Sequence, residues 1–298
     1  MLSPSSLSSV LLAVPVLCFL YQFFRGDRKK ALTLLSAYLF LSAVVILAKF
    51  VLKVPRPEGA QTSFDPYAFP SYHTAYASLL FFIFPNPFTF LYALLMGYLR
   101  VAAGVHSWPD VIGGFIFAGV SWWLYGKGKE LVGFEWDRQA FHMGTGALLG
   151  LLLYKSWQWG VALLIIALLL GLLFHRWRKH PWVAAFLDFF DRDGTGRGAF
   201  TFIVGSVAAV VINPSLGWVA VWYLAYVDAV ATLAGKCIGT KRKSIYGAAA
   251  GLLAGILVAI ATDTPLWFAP VVSAVEFLSP VDDNVTIPVA VAAMGWLA

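Results

Sequence analysis

Apolar runs of about 17–25 residues recur from one end of this 298-residue chain to the other, and wound into helices they are long enough to span the hydrocarbon core of a bilayer. Repetition of that one length dictates an all-α fold, a polytopic integral membrane helical bundle, because a helix closes its own backbone hydrogen bonds in lipid. Composition excludes the other way to bury so much apolar chain. Only 12% of residues are charged against 60% hydrophobic, and mean hydropathy is +0.78, which leaves too little charge to solvate a large soluble helical core.

Helices are expected near 7–24, 30–53, 71–84, 87–104, 109–126, 140–154, 157–174, 198–212, 216–235, 244–262, 265–278 and 285–298, about 10–12 transmembrane or re-entrant segments in all. The run at 7–24 has a basic stretch after it, Arg25 to Lys30, and none before it. A cleaved signal peptide has the opposite layout, so this run reads as a retained first span. Cys18 and Cys237 lie in or beside apolar runs and suggest neither a disulfide framework nor a thiolate metal site. Composition shifts at 127–139 (GKGKELVGFEWDR), which reads as a linker between two membrane domains, 1–126 and 140–298.

The positive-inside rule orients the spans. With the Arg25–Lys30 loop in the cytoplasm and sides alternating, the loops at 127–139, 175–197 and 236–243 are cytoplasmic and the N-terminus is outside. Together the four loops carry 16 of the 21 Lys and Arg residues. The net charge of +6 is thereby explained by topology signals, without nucleic-acid binding. Five cations are left on the outer side: Lys49, Lys53, Arg56, Arg100 and Lys155.

Three of those five belong to motifs that follow one another between residues 49 and 110: Lys49-x6-Arg56-Pro57, Pro70-Ser71-Tyr72-His73, and Arg100-x5-His106-x3-Asp110. Arg binds phosphate oxygens with a planar fork and Lys as a point charge. Cations from separate helices can therefore hold a phosphoryl group and neutralise the charge of its transition state. A histidine nucleophile splits hydrolysis into two easier steps, a carboxylate four residues on fixes its tautomer, and a second histidine protonates the leaving oxygen. Lys53 matches no motif and reads as a snorkelling helix-end cation.

These three motifs, over residues 30–126, resemble those of the type-2 phosphatidate phosphatase superfamily of membrane lipid-phosphate phosphatases. The resemblance implies His106 as nucleophile, His73 as general acid and Asp110 as the partner of His106. It implies phosphate binding by Lys49, Arg56, Ser71 and Arg100, with no metal cofactor. Two positions depart from the pattern. Tyr72 stands where glycine is usual, which predicts a narrower pocket, and Leu99 stands where a serine often precedes the arginine.

A second set of polar residues lies in the C-terminal half. It comprises Arg138 and His142; the charged loop from Asp188 through Asp191 and Asp193 to Arg197; Asp228, inside an apolar run; the glycine- and lysine-rich stretch Gly235-Lys236 to Lys241-Arg242-Lys243-Ser244; and Asp282-Asp283-Asn284. Glycines beside cations let backbone N–H groups cradle phosphates, and paired carboxylates suit Mg²⁺. The 191–194 string suggests a calcium loop but lacks the twelve-residue ligand pattern. The basic cluster at 175–180 reads as an interfacial anchor.

Residues 135–298 resemble the polyprenol kinase family of dolichol, phytol and CTP-dependent diacylglycerol kinases. The resemblance implies CTP and Mg²⁺, the latter on Asp228, Asp282 and Asp283. It makes Arg138, His142, Lys236, Lys241, Lys243, Ser244 and Asn284 nucleotide-site candidates, and a lipid alcohol the acceptor. Tyr246 stands where an acid often precedes the glycine. The expected protein is a bifunctional multi-pass enzyme of the cell membrane. Its substrates are a lipid phosphate or diphosphate at the outer face and a lipid alcohol with CTP at the cytoplasmic face. The alternatives are a phosphatase with a degenerate kinase-like half, and a lipid-phosphate transporter or flippase.

Overall fold

The computed structural model describes residues 3–297 except 61–64, 178, 182, 185–186, 188–194 and 241, with Phe174 and His175 described by backbone alone. Lys241, Arg178, the side chain of His175 and the Asp188–Gly194 part of the charged loop therefore lie outside the described residues. The described residues form helices and no strand; the lone β-bridge joins Pro55 to Tyr67. The chain divides into two compact units, Met1–Glu130 and Leu131–Ala298.

The first unit begins with α1 (Pro4–Leu11) and α2 (Ala13–Phe24), where the sequence suggests one helix. Pro15 has no N–H for the Leu11 carbonyl, which would be its partner one turn back. The Tyr92 hydroxyl donates to that carbonyl instead, at 2.8 Å. Next comes α3 (Arg28–Leu52), capped by the Asp27 carboxylate at its start and ended by Lys53 in the left-handed region at φ 51°. Helix α4 (Tyr72–Ile83) starts from a Ser71 cap, and α5 (Pro87–Ala102) from an Asn86–Thr89 capping box with Pro87 at the first helical position. Helix α6 (Trp108–Val132) crosses the unit boundary.

The unit boundary falls inside the expected linker at 127–139, between Glu130 and Leu131, but the segment is helical rather than a loop. Helix α6 runs through it to Val132, and α7 (Phe134–Lys155) starts two residues later. Gly133, at φ 57°, alone breaks the helix. The charges that mark a loop by composition are absorbed by pairing: buried Glu135 accepts from Arg138 Nε at 2.8 Å and from Gln139 Nε2 at 3.2 Å.

The second unit continues with α8 (Trp157–Trp177), α9 (Arg197–Ile212), α10 (Gly217–Tyr223), a π-helical turn (Leu224–Asp228), α11 (Ala229–Cys237), α12 (Ile245–Thr262), α13 (Phe268–Leu278) and α14 (Asp283–Met294). Trp222, Tyr223, Leu224, Ala225 and Val227, from α10 and the π turn, are fully enclosed. Gly150 gives the Trp222 ring its space, since a Cβ there would lie 2.2 Å from the indole.

Among the described residues, four stretches are long and apolar enough to cross a membrane: Pro4–Phe24, Arg28–Leu52, Gly217–Cys237 and Ile245–Thr262. Five further apolar helices are shorter. Large apolar side chains such as Leu17, Ile116, Trp123, Ile165, Leu172 and Leu253 face outward, a surface suited to lipid.

Candidate functional site

In the first unit the three motifs converge. Ser71 caps α4, its Oγ accepting from Thr74 Oγ1 at 3.0 Å, and its N–H donates to the Asp110 carbonyl at 2.9 Å. That bond needs α6 to lie against the start of α4. Gly114 permits it, because a Cβ there would come within 2.6 Å of the Ser71 carbonyl. The N-terminus of α4, with its exposed N–H dipoles, is thus held beside the loop carrying His106.

Lys49 is 1% exposed, and its ammonium has oxygen acceptors on three sides: the Tyr67 carbonyl at 2.7 Å, the Ala68 carbonyl at 3.1 Å and Asp65 Oδ1 at 3.3 Å. A buried charge without such partners is strongly destabilising. Arg56 NH2 reaches Asp65 Oδ1 at 2.7 Å, its Nε the Asp65 carbonyl at 3.2 Å, and its NH1 both the Val105 carbonyl at 2.9 Å and His106 Nε2 at 3.3 Å. Arg100 donates from NH1 to the Ser8 hydroxyl of α1 at 3.1 Å. Its buried Nε has no partner among the described residues, an open donor beside two other cations.

His106 stands between the acid and the cations. Its Nδ1 is 3.5 Å from Asp110 Oδ2, while Nε2 faces Arg56. Because the guanidinium can only donate, Nε2 is the acceptor nitrogen and the proton is assigned to Nδ1. Burial, then the charges of Lys49, Arg56 and Arg100 and the nearby His73, push this imidazole down to about 2. The neutral form, with its Nε2 lone pair free of a proton, is therefore the resting state. Asp110 also accepts from the Ser107 N–H at 2.7 Å and from its hydroxyl at 3.0 Å, which fixes the carboxylate. The side chain of His73, in the first turn of α4, makes no hydrogen bond with any described residue.

Tyr72 does not narrow this site. Its hydroxyl lies 3.0 Å from Ser42 Oγ and its ring stacks on Tyr76 at 4.6 Å, so the side chain is spent on the packing of α3 against α4. No positive φ is required there, which is why a bulky residue is accepted. The hydroxyl missing at Leu99 has a counterpart in Ser8, fully buried against Arg100. Sequence reasoning missed both Ser8 and Asp65. A serine in the first span carries no motif. Asp65 is an isolated acid in a loop, and only its opposition to two motif cations reveals it.

In the second unit a cavity of about 400 Å³ is lined by Arg138, Asp228, Lys236, Lys243, Ser244, Asp282, Asp283 and Asn284 among others. Eight of the ten C-terminal candidates therefore share one space. Lys241 is outside the described residues, and His142 stands behind the wall with Nε2 3.6 Å from Asp228 Oδ2 and 3.3 Å from the Leu224 carbonyl. The π turn that ends in Asp228 breaks the regular helical ladder at this point, as such turns commonly do at working sites. Two helices begin at the cavity, α12 from its Ser244 cap and α14 from its Asp282 cap. Lys243 Nζ bridges to Asp283 Oδ1 at 2.7 Å and also to the Glu276 carbonyl.

Among the described residues no three His, Cys, Asp or Glu side chains form a group able to hold a metal ion. Asp228, Asp282 and Asp283 flank the cavity without closing a cage. Mg²⁺ commonly takes only one or two protein carboxylates and completes its shell with water and substrate phosphates, so this donor set fits it together with a nucleotide. Tyr246, where an acid was expected, is 68% exposed and off the cavity wall. Glu276, from the apolar helix α13, lines the cavity instead. It is 5% exposed, and its carboxylate takes no hydrogen bond or ion pair from a described residue. Periodicity offered no warning of Glu276, a lone acid in a greasy run.

Compared with protein-family models, curated proteins and solved structures, the chain matches none.

Proposed function

We propose that the protein is a bifunctional membrane lipid enzyme. Its first unit hydrolyses a lipid phosphate or diphosphate, of polyprenyl type, through a phosphohistidine. Its second unit phosphorylates a lipid alcohol such as a polyprenol with CTP. The observation that carries the reading is the geometry of His106, with Nε2 3.3 Å from Arg56 NH1 and Nδ1 3.5 Å from Asp110 Oδ2.

In the first reaction substrate binds with a proton on His73; Nε2 attacks the terminal phosphorus, the bond to the leaving oxygen breaks (the lipid oxygen of a monophosphate, the bridging oxygen of a diphosphate), and His73 passes its proton to that oxygen. Asp110 stabilises the imidazolium character that develops at Nδ1–H. Lys49, Arg56 and Arg100 neutralise the equatorial oxygens. Water then cleaves the phosphorus–nitrogen bond, with His73 now accepting the proton, and phosphate leaves.

In the second reaction the cavity holds nucleotide phosphates against Lys236, Lys243 and the N-terminus of α12. Mg²⁺, when bound with the nucleotide, supplies charge neutralisation on the phosphates. The lipid hydroxyl attacks the γ-phosphorus of CTP, CDP leaves, and the unpartnered Glu276 carboxylate takes the hydroxyl proton. The charge distribution of the loops favours an outer-face phosphatase and a cytoplasmic kinase. With a diphosphate as the first unit's substrate, both products would then enter one polyprenyl-monophosphate pool. Purified protein should release phosphate from polyprenyl diphosphate without CTP, and should transfer labelled γ-phosphate to polyprenol with it. Inactivity in both assays would sink the reading.

A further inference from the structure

The donors that a substrate phosphate needs are already in use. Asp65 Oδ1 lies 2.7 Å from Arg56 NH2 and 3.3 Å from Lys49 Nζ, one carboxylate oxygen bridging two cations from different motifs. The Asp65 carbonyl holds Arg56 Nε as well, at 3.2 Å. The carboxylate is only 16% exposed, so these ion pairs are poorly screened by water. Among the described residues, Arg100 Nε is a buried cationic donor left without a hydrogen-bond partner.

We infer that Asp65 is a resident anion of the phosphate site, exchanged for phosphoryl oxygens when substrate binds, and that it selects terminal phosphates against phosphodiesters. The inference rests on reading the first unit as a phosphate site. An entering group must replace a monoanion that satisfies two cations. A phosphodiester brings one charge and two free oxygens, so the exchange gains nothing. A phosphomonoester or diphosphate end brings a second charge and a third oxygen, which Arg100 Nε is placed to take. The distinction matters in a bilayer, whose own headgroups are phosphodiesters present in vast excess over a minor lipid phosphate. A bare three-cation site would be occupied by them.

The test is equilibrium binding of inorganic phosphate and of dimethyl phosphate, a diester probe, to the full chain in a phosphate-free detergent. Wild type and Asp65→Asn are compared, with thermal unfolding followed at each ligand concentration. The expected result is that D65N binds phosphate about tenfold more tightly and gains still more for the diester, so that discrimination shrinks. Saturating phosphate should also restore the unfolding midpoint that D65N loses. Equal or weaker phosphate binding in D65N, unchanged discrimination, or a variant that phosphate does not rescue overturns the inference. Hydrolysis measured on the same samples separates the two ideas. Phosphate binding that responds to D65N without any turnover rejects the phosphatase and keeps the resident anion. Turnover with unchanged binding does the reverse.

Discussion

The two units arrange their charged groups in opposite ways. In the first, the charges close on one another: Lys49 has three oxygen neighbours, Arg56 spans Asp65, Val105 and His106, and His106 is pinned between Arg56 and Asp110. In the second, acids and bases stand around about 400 Å³ of space, and the Glu276 carboxylate takes no bond from any described residue. A site that transfers a phosphoryl group to its own side chain needs its parts assembled beforehand, with room for one small group. A site that transfers between two substrates must leave volume for both and can let the nucleotide complete its electrostatics.

The sharpest way to break the comparison is to remove one centre at a time. His106→Ala should lower lipid-phosphate hydrolysis by about 10³-fold or more, and Asp228→Asn should do so for CTP-dependent transfer. Each should leave the other activity intact when both are assayed on one preparation. Loss of both in either variant would mean one site rather than two.

Glu276→Gln tests whether the open cavity carries a working acid. We expect kcat for transfer to fall about 10²-fold with CTP affinity unchanged, read by initial rates beside nucleotide binding. An unaltered kcat would leave Glu276 as part of the wall only. Arg56→Lys tests the closed site in the same range. Losing the fork that reaches Asp65 and His106 together should cost about 10²-fold in kcat/KM for hydrolysis.

A smaller effect is expected from Ser8→Ala. The Arg100 guanidinium would lose the one hydrogen bond it makes to a described residue, worth about 1 kcal/mol. Phosphate affinity should weaken several-fold by equilibrium binding, with kcat little changed. If the loss falls on kcat instead, Ser8 does more than hold Arg100.

The smallest signal is in pH. His106 is held at about 2 when folded and returns to its ordinary 6.5 when unfolded. The unfolded chain therefore binds the extra proton between those values, and stability falls as pH drops below 6.5. Above that window both states are neutral and the residue contributes no slope. His106→Gln should flatten the acid side of the thermal-midpoint profile by up to one proton, while kcat/KM of the wild type should show no His106 limb between about pH 5 and pH 8.

Much of this was legible in the chain. Hydropathy period and length specified helices because lipid offers a backbone no other partner. Helix starts expected at 71, 87 and 244 lie within a residue of those observed, where Ser71, Asn86 and Ser244 cap the helices. The composition shift at 127–139 brackets the unit boundary at Glu130–Leu131, but its helical form was not legible, because its charges look solvated in sequence whereas Glu135 finds Arg138 and Gln139 one helical turn away.

By itself the sequence determined the all-helical class, the bilayer-length segments and the motif residues. Those follow from local chemistry, the spacing of apolar side chains and the few polar groups set among them. Tertiary structure alone decided which isolated polar residues join them. Asp65, Ser8 and Glu276 have no periodicity or motif, and each gains its meaning only when folding brings it against Arg56, against Arg100 and into the cavity wall. The reason is physical: a buried charge is tolerated only through partners that are distant in the chain, and the fold decides which partners those are.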